Sequence, residues 1–190
     1  MSNVELITTG LNIKISSKNT LYAGEWCFDK LKITDELNIF PNIWNDRDKM
    51  YTEYRYLEKI HKKLISSLTN LLNQKHKLNF NSRYWQILLD PWLFTYLGAT
   101  YFRWKTITDI LNKDENFYTK IHLDLINIDP VLDYDEYRLR VAKSHRFNHN
   151  IFSKIIKYLS TIKKKKILIE YLDDKYDKDY NDYIYKKSIF

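Results

Sequence analysis

Between positions 50 and 71, Met50, Tyr54, Leu57, His61, Leu64, Leu68 and Leu71 recur at spacings of 4, 3, 4, 3, 4 and 3. Such spacing lines up one apolar seam along a helix and predicts a helix from about Arg47 to Gln74. Asp46 fits the N-cap, and Asp48 falls in the first turn, where the helix dipole favours an acid. Lys75, His76 and Lys77 stand at the other end, where cations suit the dipole. About three heptads in a globular chain describe a long packed helix rather than a coiled coil. The chain has three glycines and three prolines in 190 residues, which also favours long helices over a turn-rich β sandwich.

Shorter elements surround this helix. Val4 to Thr9 reads as a first strand ending at Gly10, and Thr20 to Ala23 as a second closed by Gly24. Gly24 then opens a turn carrying Glu25, Trp26 and Cys27, and such turns after strands are where α/β proteins place their sites. Pro91 should divide Ser82–Leu111 into two helices, because it lacks the N–H and clashes with the preceding turn. Phe117 to Leu125 is expected to hold a strand, Asp133 to Leu159 a third helical stretch, and Ile167 to Leu172 a last strand. The fold class is therefore α/β, mostly helical with a small parallel sheet. Residues 1–172 are expected to form a single domain, and 173–190, nearly all Asp, Lys, Tyr and Asn, a low-complexity tail.

With one cysteine, Cys27, the chain forms no internal disulfide, which fits a reducing compartment. Cys27 has no paired His or Asn motif and reads as a buried thiol. No signal-peptide pattern and no apolar run of membrane-spanning length is visible, so the expected location is cytoplasmic. The net charge of +7 invites an anionic partner. From Arg138 to Ile169 there is no acid, and a basic stripe ends in Lys163 to Lys166. That stripe could meet nucleic acid or an anionic membrane surface, or be a solvated helix face. The three glycines are never adjacent, which excludes a dinucleotide fingerprint and a phosphate-binding loop. His145 and His149 share a helical face, but no third ligand is evident, and neither metal nor cofactor is expected.

Two blocks draw attention as binding chemistry: Trp44-Asn45-Asp46-Arg47, and Arg83-Tyr84-Trp85 leading to Pro91-Trp92. Arg47 at a helix N-terminus suits an anion, and Trp44 could supply a stacking wall; the alternative is a plain N-cap and a solvated arginine. Trp85 shares a face with Ser82, Leu89 and Trp92 and reads as core, with Arg83 turned elsewhere. His76 reads either as a base or as a residue satisfying the helix end.

Taken in order, these blocks resemble the transferases of bacterial O-antigen and surface-polysaccharide gene clusters. The matching segments are Ala23-Gly24-Glu25-Trp26-Cys27, Trp44-Asn45-Asp46-Arg47, Asn73-Gln74-Lys75-His76, Ser82-Arg83-Tyr84-Trp85 with Pro91-Trp92-Leu93, and Phe147-Asn148-His149-Asn150-Ile151-Phe152. Asp90 stands where the family tends to have glycine, Phe147 where it has tryptophan, and Ala23 where it has leucine. The resemblance covers about residues 4 to 160, and the Asp/Lys/Tyr tail resembles nothing in it. It implies the acceptor-side, N-terminal half of a GT-B glycosyltransferase, a truncated or split product acting with a separately encoded C-terminal domain. The implied partners are a nucleotide-sugar donor and a glycan or lipid-linked acceptor, with peripheral contact at the inner membrane. On that reading Trp26, Trp44, Asp46, Arg47, Arg83 and Trp85 bind substrate, and His76 or Glu25 deprotonates an acceptor hydroxyl. All eight should then line one concave wall. A nucleic-acid-binding module and an inactive scaffolding remnant stay open as alternatives.

Overall fold

The computed structural model describes residues 3–11, 19–28, 37–127, 130–163 and 167–173. Four strands, β1 (Val4–Ile7), β2 (Thr20–Tyr22), β3 (Phe117–His122) and β4 (Ile167–Leu172), form one sheet in the order β2-β1-β3-β4. Every pairing is parallel, with Glu5 opposite Thr20 and Tyr118, and Phe117 opposite Ile167. The four long helices are α1 (Arg47–His76), α2 (Ser82–Leu111), α3 (Tyr134–Lys143) and α4 (His145–Lys163). The mostly helical α/β class with a small parallel sheet is what the sequence pattern implies. Among the described residues, no helix is long and apolar enough to cross a membrane. The expected tail beyond Asp173 lies outside the described residues.

Where the sequence reads as one domain over 1–172, the chain divides into two compact units: Met1–Asn42 with Arg103–Phe190, and Ile43–Phe102. The first holds the sheet. Its core joins Leu6 and Leu21 from the strands to Ile107, Ile110 and Leu111 of α2 and Phe152, Ile155, Ile156 and Leu159 of α4. The α4 residues follow helical spacing, so one face of that helix is buried against the sheet. Apolar burial of this kind is worth roughly 25 cal/mol per Å² and is the main term holding such a unit together.

The second unit is a pair of long helices. Asp46 caps α1 as expected, its Oδ1 accepting from the N–H groups of Asp48 (2.9 Å) and Lys49 (3.0 Å). At the far end Lys77 takes the left-handed conformation (φ 55°) of a helix C-cap. The buried stripe of α1 is Glu53, Leu57, His61, Ile65 and Thr69, which shares Leu57 and His61 with the seam read from hydrophobicity and is otherwise rotated from it. Met50, Tyr54 and Leu71 of that seam are exposed. The polar members are buried because each has a partner. Trp44 Nε1 donates to Glu53 (2.8 Å), His61 Nε2 meets Asp90 Oδ1 (2.9 Å), and Thr69 Oγ1 donates to the Ile65 carbonyl (2.8 Å).

Two breaks differ from expectation. Pro91 lies inside a continuous α2. The carbonyl it cannot bond belongs to Ile87, a residue 61% exposed, so that solvent is at hand to take the place of the missing donor. The stretch from Asp133 to Leu159 is two helices, broken at Ser144, whose Oγ accepts from the Phe147 N–H (3.1 Å) and caps α4. Strand β3 likewise ends at His122, and residues Leu123–Leu125 turn into a short 3-10 helix.

The 3-10 turn Glu25–Cys27 follows β2. Trp26 packs on the sheet core, stacks on Phe152 (6.3 Å, 10°) and donates its indole N–H to the Thr8 carbonyl (3.0 Å). A methyl group on Gly24 would overlap the Trp26 ring. The ring is pinned on two sides and cannot swing away at no cost. Gly24→Ala is therefore expected to lower unfolding free energy by about 2 kcal/mol, read as a shifted urea midpoint at unchanged slope.

Candidate functional site at the carboxyl edge of the sheet

In a sheet ordered β2-β1-β3-β4, the chain leaves β1 toward one side and β3 toward the other. The carboxyl ends of β1 and β3 are then the point where the connections diverge, and open α/β sheets place their ligand crevices there. A cavity of about 530 Å³ runs along β1 and β3 past Glu5, Thr119 and Lys120 and reaches this region, where Thr8, Thr9, Leu11, His122, His149 and Leu172 line it. Its size falls within the range of ordinary ligand sites.

Local structure puts these side chains in place. Thr8 and Thr9 follow β1 directly and are buried. The Gly10 N–H donates to His145 Nδ1 (3.0 Å). A Cβ at Gly10 would stand 2.7 Å from the His145 ring and 2.8 Å from the Cys27 carbonyl, so this close approach requires glycine. At the end of β3, the His122 N–H donates to His149 Nε2 (3.2 Å), and the two imidazoles meet edge to face at 5.5 Å. Three of the five histidines thus gather at one edge of the sheet.

The hydrogen bonds set the tautomers. His145 accepts at Nδ1 and so carries its proton on Nε2; His149 accepts at Nε2 and carries its proton on Nδ1. Burial, reinforced by the neighbouring His122, lowers the His149 pKa from 6.5 to about 4, against a smaller opposing pull from Asp124. His149 is therefore neutral at pH 7 and presents a fixed donor. Next to it in sequence, Asn148 Oδ1 accepts from Arg103 Nε (3.0 Å) and Nη2 (2.6 Å), while Asn148 Nδ2 donates to the carbonyls of Val141 (3.0 Å) and Ser144 (2.9 Å). Asn150 Nδ2 donates to the carbonyls of Leu125 (3.1 Å) and Ile126. The run Asn148-His149-Asn150 on α4 thus ties α4 to Arg103 of α2, to the end of α3 and to the turn after β3.

The residues singled out from sequence divide between the two units, Glu25 and Trp26 in the first and the other six in the second. Glu25 is exposed in the turn after β2, beside Trp26, whose link to the cavity is the Thr8 carbonyl. Trp44, Asp46 and Arg47 stand at the start of α1. Asp46 is the helix cap, and the Trp44 ring leans on Phe102 at 4.8 Å. His76, Arg83 and Trp85 stand at the turn between α1 and α2. Trp85 is buried, donates to Asn73 Oδ1 (2.9 Å) and lies 6.3 Å from the His76 ring, while Arg83 is exposed and reaches only Gln86 Oε1 at 3.4 Å. Arg47 and His76 are the first and last residues of the same helix, so at ~1.5 Å per residue they stand roughly 44 Å apart. The two arginines therefore share no pocket within the helical unit, which corrects the single-wall expectation. The basic stripe is also less free than it reads, since Arg140 pairs with Glu136 (2.5 Å) and Arg138 approaches Asp135 (3.7 Å).

The cavity residues that sequence reasoning passed over are Thr8, Thr9 and His122. The available signals were a strand closed by Thr8-Thr9-Gly10 and a paired His145 and His149 on one helical face. Among the described residues, no group of three or more His, Cys, Asp or Glu is arranged to hold a metal ion.

A sequence model of the LIC12162 family transferases matches residues 4–190. The match runs through the Asp/Lys/Tyr stretch, so the tail that seemed to resemble nothing falls within the family's span. No curated protein and no solved structure matches the chain.

Proposed function

Since this chain belongs to the LIC12162 transferase family, we propose that it transfers a sugar from a nucleotide donor to a glycan or lipid-linked acceptor, using the cavity at the carboxyl edge of the sheet. The observation that carries this reading is the pairing of His122 with His149 where the connections of a parallel sheet diverge. In sugar transfer an acceptor hydroxyl attacks the anomeric carbon, the bond to the nucleotide diphosphate breaks, and the hydroxyl proton must go to a base. His122 is the group we assign as that base. His149, held neutral, keeps positive charge away from its neighbour and so preserves its capacity to accept a proton. The Thr8 and Thr9 hydroxyls in the cavity lining suit a substrate that carries hydroxyl groups. Trp26 acts on the site through the Thr8 carbonyl, not by stacking on a sugar.

Calorimetric titration with a panel of nucleoside-diphosphate sugars and oligosaccharides tests this. One class is expected to bind saturably. His122→Gln should weaken that binding about tenfold, the cost of mismatching one buried polar contact, while Arg47→Gln and Arg83→Gln leave it unchanged. The reading fails if no member of the panel binds, or if Arg83→Gln abolishes binding that His122→Gln spares.

A further inference from the structure

Residues 59–89 contain Lys59, Lys62, Lys63, Lys75, Lys77 and Arg83, and no Asp or Glu. All six cations are exposed. They belong to the half of the helical unit that includes the α1–α2 turn. The same half carries an unusual load of exposed apolar surface: Leu71 (56%), Leu78 (41%), Phe80 (40%), Tyr84 (41%), Ile87 (61%) and Leu88 (56%). Tyr84, Ile87, Leu88 and Pro91 follow i, i+3, i+4, i+7 spacing, so they form one exposed stripe on α2 while Trp85 and Leu93 are buried. Phe80 stacks on Tyr84 (4.0 Å) and extends the stripe into the turn. Asn73 holds the turn rigid, accepting from the Phe80 N–H (3.1 Å) and donating to the Phe80 carbonyl (2.7 Å).

We infer that this hairpin tip is a docking surface for an anionic phospholipid bilayer. Branched aliphatic side chains enter the acyl boundary, aromatic rings sit at headgroup depth, and the lysines and arginine meet lipid phosphates. Charge decides between occupants. A second copy of the chain would bring two acid-free cationic surfaces together, an arrangement that like charges oppose. A nucleic acid would neutralise the cations and leave the Ile87–Leu88 stripe in water. Of these three, the bilayer alone offers a partner to both. The inference does not rest on sugar transfer and stands or falls separately from it.

Flotation of the full chain with vesicles tests it. Binding is expected to phosphatidylcholine vesicles containing about one third phosphatidylglycerol, and not to pure phosphatidylcholine. Replacing both stripe residues (Ile87→Ser with Leu88→Ser) should weaken binding tenfold or more. Neutralising three cations (Lys75→Gln, Lys77→Asn and Arg83→Gln) should weaken it about a hundredfold, at roughly fivefold per charge. Asn is used at position 77 because it tolerates the left-handed backbone there. All five positions are exposed, so circular dichroism should be unchanged. The inference is overturned if binding is absent, if the serine variant binds as well as the parent, or if the serine changes convert a dimer to a monomer without touching vesicle binding. RNA binding that competes with the vesicles and survives the serine changes would also overturn it.

Discussion

Arg103→Ala is expected to destabilise the protein by about 4 kcal/mol, nearly a thousandfold in the folding equilibrium. Two effects oppose each other at this residue. Burial lowers the pKa of the guanidinium from 12.5 to about 10, so at pH 7 the fold carries a desolvation cost of roughly 3 kcal/mol for keeping the group charged. Against this stand two donations to Asn148 Oδ1 and one to the Val141 carbonyl (3.0 Å). Hydrogen bonds from a charged donor contribute about 1.5–3 kcal/mol each, so the set is worth roughly 6. The guanidinium also lies over the Phe152 ring at 5.9 Å, and its stem fills space that alanine would leave empty, for roughly 1 kcal/mol more. Interaction wins over desolvation, and alanine would strand Asn148 Oδ1 as well. Arg103→Lys should recover less than half of the loss, because an ammonium cannot span Asn148 and Val141 as a planar fork does. Urea unfolding of the three proteins measures this. An alanine variant within 1 kcal/mol of the parent would show that the network contributes nothing net.

This pin also marks what a sequence can and cannot reveal. All four strands and the long first helix were legible, because short apolar runs and a helical stripe are local patterns. Cap chemistry was legible at Asp46 for the same reason. Pro91 misled because its cost depends on whether water can reach Ile87, a tertiary fact. The break at Ser144 was missed because the apolar pattern continues across it; the capping serine was the only local sign. The α1 stripe was only partly legible: Leu57 and His61 belong to the seam, but Glu53 and Thr69 are buried through hydrogen bonds to Trp44 and the Ile65 carbonyl, and hydrophobicity alone excludes them. The cavity was harder still. Thr8, His122 and His149 come from three distant segments that meet only once the strand order is known, and no local spacing encodes that order. Tryptophan and arginine drew attention to the helical unit, yet Trp44 and Trp85 use their indole N–H groups to hold it together.

The Asn148-His149-Asn150 run shows how one short segment can tie several elements together. Asn148 receives Arg103, Asn150 holds the carbonyls after β3, and His149 between them receives the N–H of His122. A helix places successive residues about 100° apart, so three neighbours reach three different elements. The segment thereby holds His149, which lines the cavity, in a fixed place between two anchored neighbours.

Acid is expected to weaken the fold through His149, by about 2 kcal/mol at pH 5 and about 3 at pH 4, relative to pH 7.5. The folded-state pKa, about 4, lies below the unfolded value of 6.5. Between those limits the unfolded chain binds a proton that the native chain refuses, so the contribution is complete above pH 6.5 and is lost as the pH falls toward 4. The cause is geometric as well as dielectric. Nε2 accepts from the His122 N–H, and a proton there would turn an acceptor into a second donor facing the first, in a buried site beside another imidazole. Carboxylates lose their contributions mostly below this window, near their ordinary values of about 4, so the two effects separate on the pH axis. His149→Gln supplies the control: its amide oxygen can accept from the same N–H and does not titrate. Urea midpoints measured from pH 7.5 to 4 should fall more steeply for the parent than for the variant, the difference between them changing by about 3 kcal/mol over that range. Parallel curves across that range would mean that His149 takes up its proton as readily in the fold as outside it, and the neutral donor assigned to the cavity would not exist.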